Sequence, residues 1–175
     1  TSCDEVLCHT NERVLGHQCV ACPPGSTNAA GDGAASGDTQ CDHTICPANT
    51  HVVGHACTPC PPGHEHPAGD DATGGDTQCS AVSCGPNMHV QNHVCTACPA
   101  GTWNDEGDDA SGANTQCDPV ICEVHMRVHD HACVACAPGK ENEAGDDASQ
   151  GNTECDAVIC EPNHHVAGNV CTACP

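Results

Sequence analysis

The chain has 175 residues, twenty of them cysteine, and a formal charge of −21. Phe and Tyr are absent, and Leu, Ile and Val make up about 11% of the chain, against the roughly 20% below which a highly charged chain stays disordered. Apolar burial alone does not offset an ordering cost of roughly 1.5 kcal/mol per residue. The acidic balance excludes nucleic acid, whose phosphates need a basic surface, and argues against direct binding to an anionic membrane.

Cysteine supplies the missing stability. At about 11% it exceeds the roughly 8–10% that marks a disulfide scaffold. Disulfides persist in oxidising compartments, so the expected location is extracellular or lumenal. The sequence shows no signal peptide, transit peptide or transmembrane run, and reads as a mature product or a window of a longer array.

The cysteines fall in a fixed pattern, C-x4-C-x10-C-x2-C, repeated every 38 residues without insertion or deletion. Copies begin at Cys3, Cys41, Cys79, Cys117 and Cys155. The second column is Cys8, Cys46, Cys84, Cys122 and Cys160; the third is Cys19, Cys57, Cys95, Cys133 and Cys171; the fourth is Cys22, Cys60, Cys98, Cys136 and Cys174. A fixed period of this size is the signature of a repeat array. The repeats are taken as 1–40, 41–78, 79–116, 117–154 and a partial fifth at 155–175.

Within a repeat the first expected element is a small apolar cluster. Position four or five is usually aliphatic (Val6 and Leu7, Ile45, Val82, Val120 and Ile121, Val158 and Ile159), and position twelve is always Val: Val14, Val52, Val90, Val128, Val166. Next come Gly16-His17, Gly54-His55, Asn92-His93, Asp130-His131 and Gly168-Asn169. These residue types tolerate positive φ, as two-residue hairpin loops demand. They predict a short β-hairpin centred on each pair and ending at the third cysteine. Pro23-Pro24-Gly25 and its counterparts at Gly63, Gly101 and Gly139 predict a type II turn. A polar, acidic loop then leads to the next copy, with Thr39, Thr77, Thr115 and Thr153 two residues before its first cysteine. The fold class is small disulfide-rich tandem repeats, mostly irregular with short β-hairpins, forming an elongated rod with no sizeable hydrophobic core.

Sites of chemistry are few. The CxxC pairs lack the helix start of a redox motif. The histidines raise zinc binding, but Asn169 replaces the hairpin His in the fifth copy, and Asn suits a turn better than a metal. Position eleven reads Arg13, His51, His89, Arg127 and His165, which predicts a surface or stacking position, since Arg does not ligate metal. Asp70, Asp71 and Asp76 are weak calcium candidates outside any known calcium-loop pattern. No nucleophile–base pair stands on a rigid scaffold and no phosphate loop precedes a helix, so no catalytic site, enzyme activity or cofactor is expected. No N-x-[ST] sequon occurs; Ser and Thr in the loops are candidate acceptors for O-linked glycans.

Cys57-Thr-Pro-Cys60-Pro-Pro-Gly63, Ala144-Gly-Asp-Asp-Ala-Ser149 and the following Asn-Thr-Glu-Cys155 resemble the cysteine-periodic repeats of ciliate immobilisation antigens, over every copy. The resemblance implies an abundant, GPI-anchored surface-coat protein, although no anchor is part of this chain. More distantly, Cys-Pro-Pro-Gly followed by Thr-x-Cys looks like the cysteine-rich modules of tumour-necrosis-factor and growth-factor receptors. Four cysteines allow three connectivities per copy. The receptor likeness implies first-to-third and second-to-fourth pairing, as Cys41–Cys57 and Cys46–Cys60. The rival joins second to third, and fourth to the next copy's first, as Cys60–Cys79.

Three functions follow: a structural protein of an extracellular coat or filament that self-associates, a ligand- or protein-binding receptor-like ectodomain, and a metal-sequestering protein. Equal repeat lengths favour the first, with association sensitive to pH and divalent cations through the acidic loops.

Overall fold

The computed structural model describes residues 5–175. Each repeat is built on the hairpin that its turn pair dictates. In the first, β1 (Glu12–Leu15) pairs with β2 (Gln18–Ala21). Gly16 and His17 stand between them at φ 57° and 59°, so both central residues are left-handed, as a type I′ turn requires. The same φ pattern recurs at Gly54-His55, Asn92-His93, Asp130-His131 and Gly168-Asn169. The third cysteine lies inside the second strand rather than at its end, paired with the position-twelve valine: Val14 with Cys19, Val52 with Cys57.

Two-residue strands follow. β3 (Ser26–Thr27) pairs with β4 (Asp42–His43), which already belongs to the second repeat. The second hairpin is β5 (Thr50–Val53) with β6 (Ala56–Pro59), and β7 (His64–Glu65) pairs with β8 (Ser80–Ala81). The third hairpin is β9 (Met88–Gln91) with β10 (Val94–Ala97), and β11 (Thr102–Trp103) pairs with β12 (Asp118–Pro119). The fourth is β13 (Met126–His129) with β14 (Ala132–Ala135), and β15 (Lys140–Glu141) pairs with β16 (Asp156–Ala157). The fifth is β17 (His164–Ala167) with β18 (Val170–Ala173). All pairings are antiparallel and two-stranded, and no helix occurs among the described residues. The chain divides into two compact units, Thr1–Val82 and Ser83–Pro175.

The expected type II turn is present. Ser26 N–H donates to Pro23 O at 3.2 Å and Gly25 holds φ 78° at the third position; Gly63, Gly101 and Gly139 repeat this. A second left-handed position was not foreseen from the sequence: Asn11, Asn49, Asn87, His125 and Asn163, all at φ between 57° and 65°. Asn is the commonest non-Gly residue there, because its short polar side chain tolerates the conformation.

The cores are small. Val14, Val52, Val90 and Val128 are fully buried. In the second repeat Val52 packs with Cys46 and Ala72, flanked by Cys57. In the fourth, Val128 packs with Cys122 and Ala148, flanked by Val120, Met126 and Cys133. The acidic loop thus supplies a core alanine. The position-five aliphatics do not join this core: Leu7 is 53%, Ile45 56% and Ile121 51% exposed. Each of these three residues forms a lone β-bridge to the acidic loop, Leu7 to Gly33, Ile45 to Asp71 and Ile121 to Asp147. In the fifth hairpin Val166 is 64% exposed.

Candidate functional site: the acidic loop and the junction between repeats

The disulfides follow the rival pattern. Second joins third within each repeat: Cys8–Cys19, Cys46–Cys57, Cys84–Cys95, Cys122–Cys133 and Cys160–Cys171. Fourth joins the first cysteine of the next copy: Cys22–Cys41, Cys60–Cys79, Cys98–Cys117 and Cys136–Cys155. The crossed pairing implied by the receptor likeness, Cys41–Cys57 and Cys46–Cys60, is therefore wrong. The physical reason is the hairpin register. It sets Cys57 opposite the buried Val52, beside Cys46, while the type II turn after Cys60 directs the chain into the next repeat. Cys174 is an exposed thiol, and Cys3 lies outside the described residues.

Each inter-repeat bridge is one part of a junction. In unit Thr1–Val82, Cys22–Cys41 stands beside the β3–β4 pair, and Thr44 N–H donates to Gly25 O at 2.9 Å. The 2→3 junction repeats this with Cys60–Cys79, β7–β8 and Val82 N–H to Gly63 O. In unit Ser83–Pro175, the 3→4 and 4→5 junctions use Val120 N–H to Gly101 O and Val158 N–H to Gly139 O, both at 2.9 Å. Gly25 also lies directly against the Ala72 backbone, and Gly101 against Ala148; a Cβ on Gly101 would stand 2.1 Å from Ala148 O. Only glycine permits that approach.

Three positions of the acidic loop hold its shape and tie it to neighbouring segments. In the first repeat Asp32 accepts from Thr39 Oγ1 and from Asn28 Nδ2 at 2.8 Å. Asn28 Nδ2 also donates to Glu12 O. The Thr39 hydroxyl, then the Asn28 amide, hold Asp32 below the usual aspartate range. Asp70, Asp108 and Asp146 make the same bond with Thr77, Thr115 and Thr153. In the second repeat His66 stands where the others have Asn, with Nε2 2.7 Å from Asp70 Oδ2. That nitrogen is shielded from solvent, with the Asp70 carboxylate beside it. The Thr77 hydroxyl chiefly, with His66 behind it, holds Asp70 low.

Asp71 does different work. Its Oδ1 accepts from Thr73 N–H at 2.9 Å and Thr73 Oγ1 at 2.7 Å, and His43 Nδ1 lies 2.6 Å from Oδ2. These contacts, the Thr73 hydroxyl first, hold its carboxyl low. Asp147 is held low by Ser149 in the same way. Asp76 is the third kind: its Oδ1 accepts from Gly54 N–H at 2.8 Å, as Asp38, Asn114 and Asn152 do for Gly16, Asn92 and Asp130. The three weak calcium candidates are thus each engaged by a different backbone or hydroxyl partner. None of the three belongs to a trio of His, Cys, Asp or Glu ligand atoms within 4.8 Å of one another among the described residues. Asn replaces Asp76 in two repeats because the position needs an acceptor, not a charge.

Histidines of the hairpin turn have a second role that the sequence reading missed. Their Nδ1 atoms lie 3.0 Å from Ala72 O, Ala110 O and Ala148 O, and 3.3 Å from Ala34 O for His17, which pins the hairpin tip to the loop. His51 and His89 at position eleven contact the inter-repeat bridges, at 3.0 Å from Cys79 Sγ and 3.4 Å from Cys117 Sγ. Arg127 in the same column reaches Thr153 O at 3.4 Å.

The chain is a cysteine-rich, extracellular-type protein of tandem disulfide-stapled repeats. Comparison with protein-family models, with curated proteins and with solved structures finds no match for it.

Proposed function

We propose that the chain is a structural unit of an extracellular surface coat or filament. The uniformity of its junctions carries this reading: the same disulfide, two-residue ladder and backbone hydrogen bond recur from repeat to repeat. A binding ectodomain has reason to break that uniformity at its contact face, and the disulfide pairing departs from the one that the receptor likeness implies. The bridges also make tension along the chain run through covalent bonds at every junction. Self-association, an elongated rod-like form and surface anchoring of the kind found in ciliate immobilisation antigens belong to the same proposal. Small-angle scattering tests it. A compact 175-residue domain has a radius of gyration of about 16 Å, and a coat or filament unit gives a clearly larger value together with linear assemblies in electron micrographs. A value near 16 Å with monomers at every concentration overturns it.

A further inference from the structure

Two of the junctions carry a chemistry that the structural role does not use. His51 Nδ1, Cys60 Sγ and Cys79 Sγ lie within 4.8 Å of one another, as do the same atoms of His89, Cys98 and Cys117. Once the sulfurs are freed from each other and part, one nitrogen and two sulfurs supply three of the four ligands of a tetrahedral Zn²⁺ site, the fourth position being left to water. In the oxidised chain the sulfurs are spent on each other in Cys60–Cys79 and Cys98–Cys117. A disulfide sulfur is no thiolate and does not hold the ion. Both sulfurs of each junction bridge are half-buried, whereas each neighbouring intra-repeat bridge pairs a half-buried sulfur, Cys57 or Cys95, with one almost fully buried, Cys46 at 1% and Cys84 at 2% exposed. A reductant therefore has two open sulfurs to attack at a junction bridge and one at its neighbour.

We propose that these two junctions are redox-gated sites for a soft or borderline divalent metal ion, closed while the bridge is intact and opened by its reduction. A dithiol reductant donates two electrons and two protons to Cys60–Cys79, leaving two thiols and the cyclic disulfide of the reductant. The ion then takes both sulfurs as thiolates and the His51 imidazole as neutral ligand, releasing the two thiol protons. The hairpin stays closed by Cys46–Cys57, which keeps His51 facing the pair. The chain contains its own control. At the Cys22–Cys41 and Cys136–Cys155 junctions the same column holds Arg13 and Arg127, which offer no metal ligand. Among the described residues no His, Asp or Glu completes a trio with the two sulfurs there.

The test begins by alkylating pre-existing thiols, including Cys174, then reducing with limiting dithiothreitol and removing it. Zn²⁺ is titrated with native mass spectrometry, and Co²⁺ is used for its thiolate charge-transfer band. The expected result is two ions per chain, with Cys60, Cys79, Cys98 and Cys117 protected from a second alkylating reagent. The His51→Arg/His89→Arg variant copies residues that other repeats already carry at this position, so its fold is maintained. Its affinity is expected to fall by at least about tenfold, since even outer-shell changes cost 10–100-fold. No metal uptake, uptake of unchanged affinity in the double variant, equal protection of Cys22 and Cys41, or reduction that opens Cys46–Cys57 and Cys84–Cys95 first would each overturn the proposal.

Discussion

Val14 and Thr39 hold each other by two hydrogen bonds across 25 residues of chain: Val14 N–H donates to Thr39 Oγ1 at 2.9 Å, and Thr39 N–H donates to Val14 O at 3.0 Å. The pair closes the acidic loop over the buried valine, and its counterparts are Val52 with Thr77, Val90 with Thr115 and Val128 with Thr153. Thr77→Val keeps the shape and removes the hydroxyl. It strands the Val52 amide and the bond to Asp70, at a cost of about 1–2 kcal/mol for the buried amide. Amide hydrogen exchange should show Val52 losing protection in the variant while Val128 keeps it; equal protection at Val52 would count against the clasp.

The two disulfide classes close loops of similar length, 11 and 19 residues of separation. The chain-entropy model gives both about 3 kcal/mol, so loop length does not rank them. Burial does. Removing Cys46–Cys57 as a double Ala variant also empties space beside Val52, whereas Cys60 and Cys79 are half-exposed. Thermal unfolding is expected to fall further for the Cys46→Ala/Cys57→Ala variant than for Cys60→Ser/Cys79→Ser. Peptide mapping under non-reducing conditions should recover Cys60 linked to Cys79.

Glycines with similar φ differ in what surrounds them. Gly54 sits at φ 54° with nothing near its missing Cβ, and Asn92 and Asp130 already occupy that position in other repeats. Gly54→Asn should leave the melting temperature unchanged. Gly101→Asn should cost roughly 1–3 kcal/mol, because the side chain enters the Ala148 backbone and the junction must shift. Equal melting temperatures for the two variants would refute the close approach.

Four aspartates, Asp32, Asp70, Asp71 and Asp147, have folded values below the unfolded one. A carboxyl whose pKa is depressed by folding stabilises fully above the unfolded value of about 3.9. That contribution is lost as pH falls through the lower folded values. Stability attributable to these groups is therefore flat from pH 7 to 5 and declines below about pH 4. Asp32→Asn removes the decline at its own loop. Thermal scans of wild type and variant at pH 7 and pH 3 check this: a wild-type gap that does not narrow at pH 3 would refute it.

Much of the repeat was written in local residue chemistry. The type I′ hairpins at Gly16-His17 and its counterparts, and the type II turns at Gly25, follow from which residues tolerate positive φ, a property of single residues that needs no neighbours. The density of cysteine and the scarcity of Leu, Ile and Val likewise settled that bridges, not a core, hold the chain. Asn11 and Asn49 were missed because one Asn among many polar residues gives no periodic signal.

Sequence by itself determined the 38-residue period, the disulfide-stapled class and the turns, because each depends on composition or on residues adjacent in the chain. Tertiary structure decided the rest. Cys46 joins Cys57 and Cys60 joins Cys79 because the hairpin register and the turn at Gly63 bring those sulfurs together, and linear spacing is compatible with every connectivity. Asp70, Asp71 and Asp76 look alike in the sequence, yet Thr77, Thr73 and Gly54 give them three separate tasks through contacts formed only when the loop closes over Val52. His51 reaches the Cys60–Cys79 bridge by the same closure, 28 residues of chain away from Cys79 and 3.0 Å from its sulfur in space.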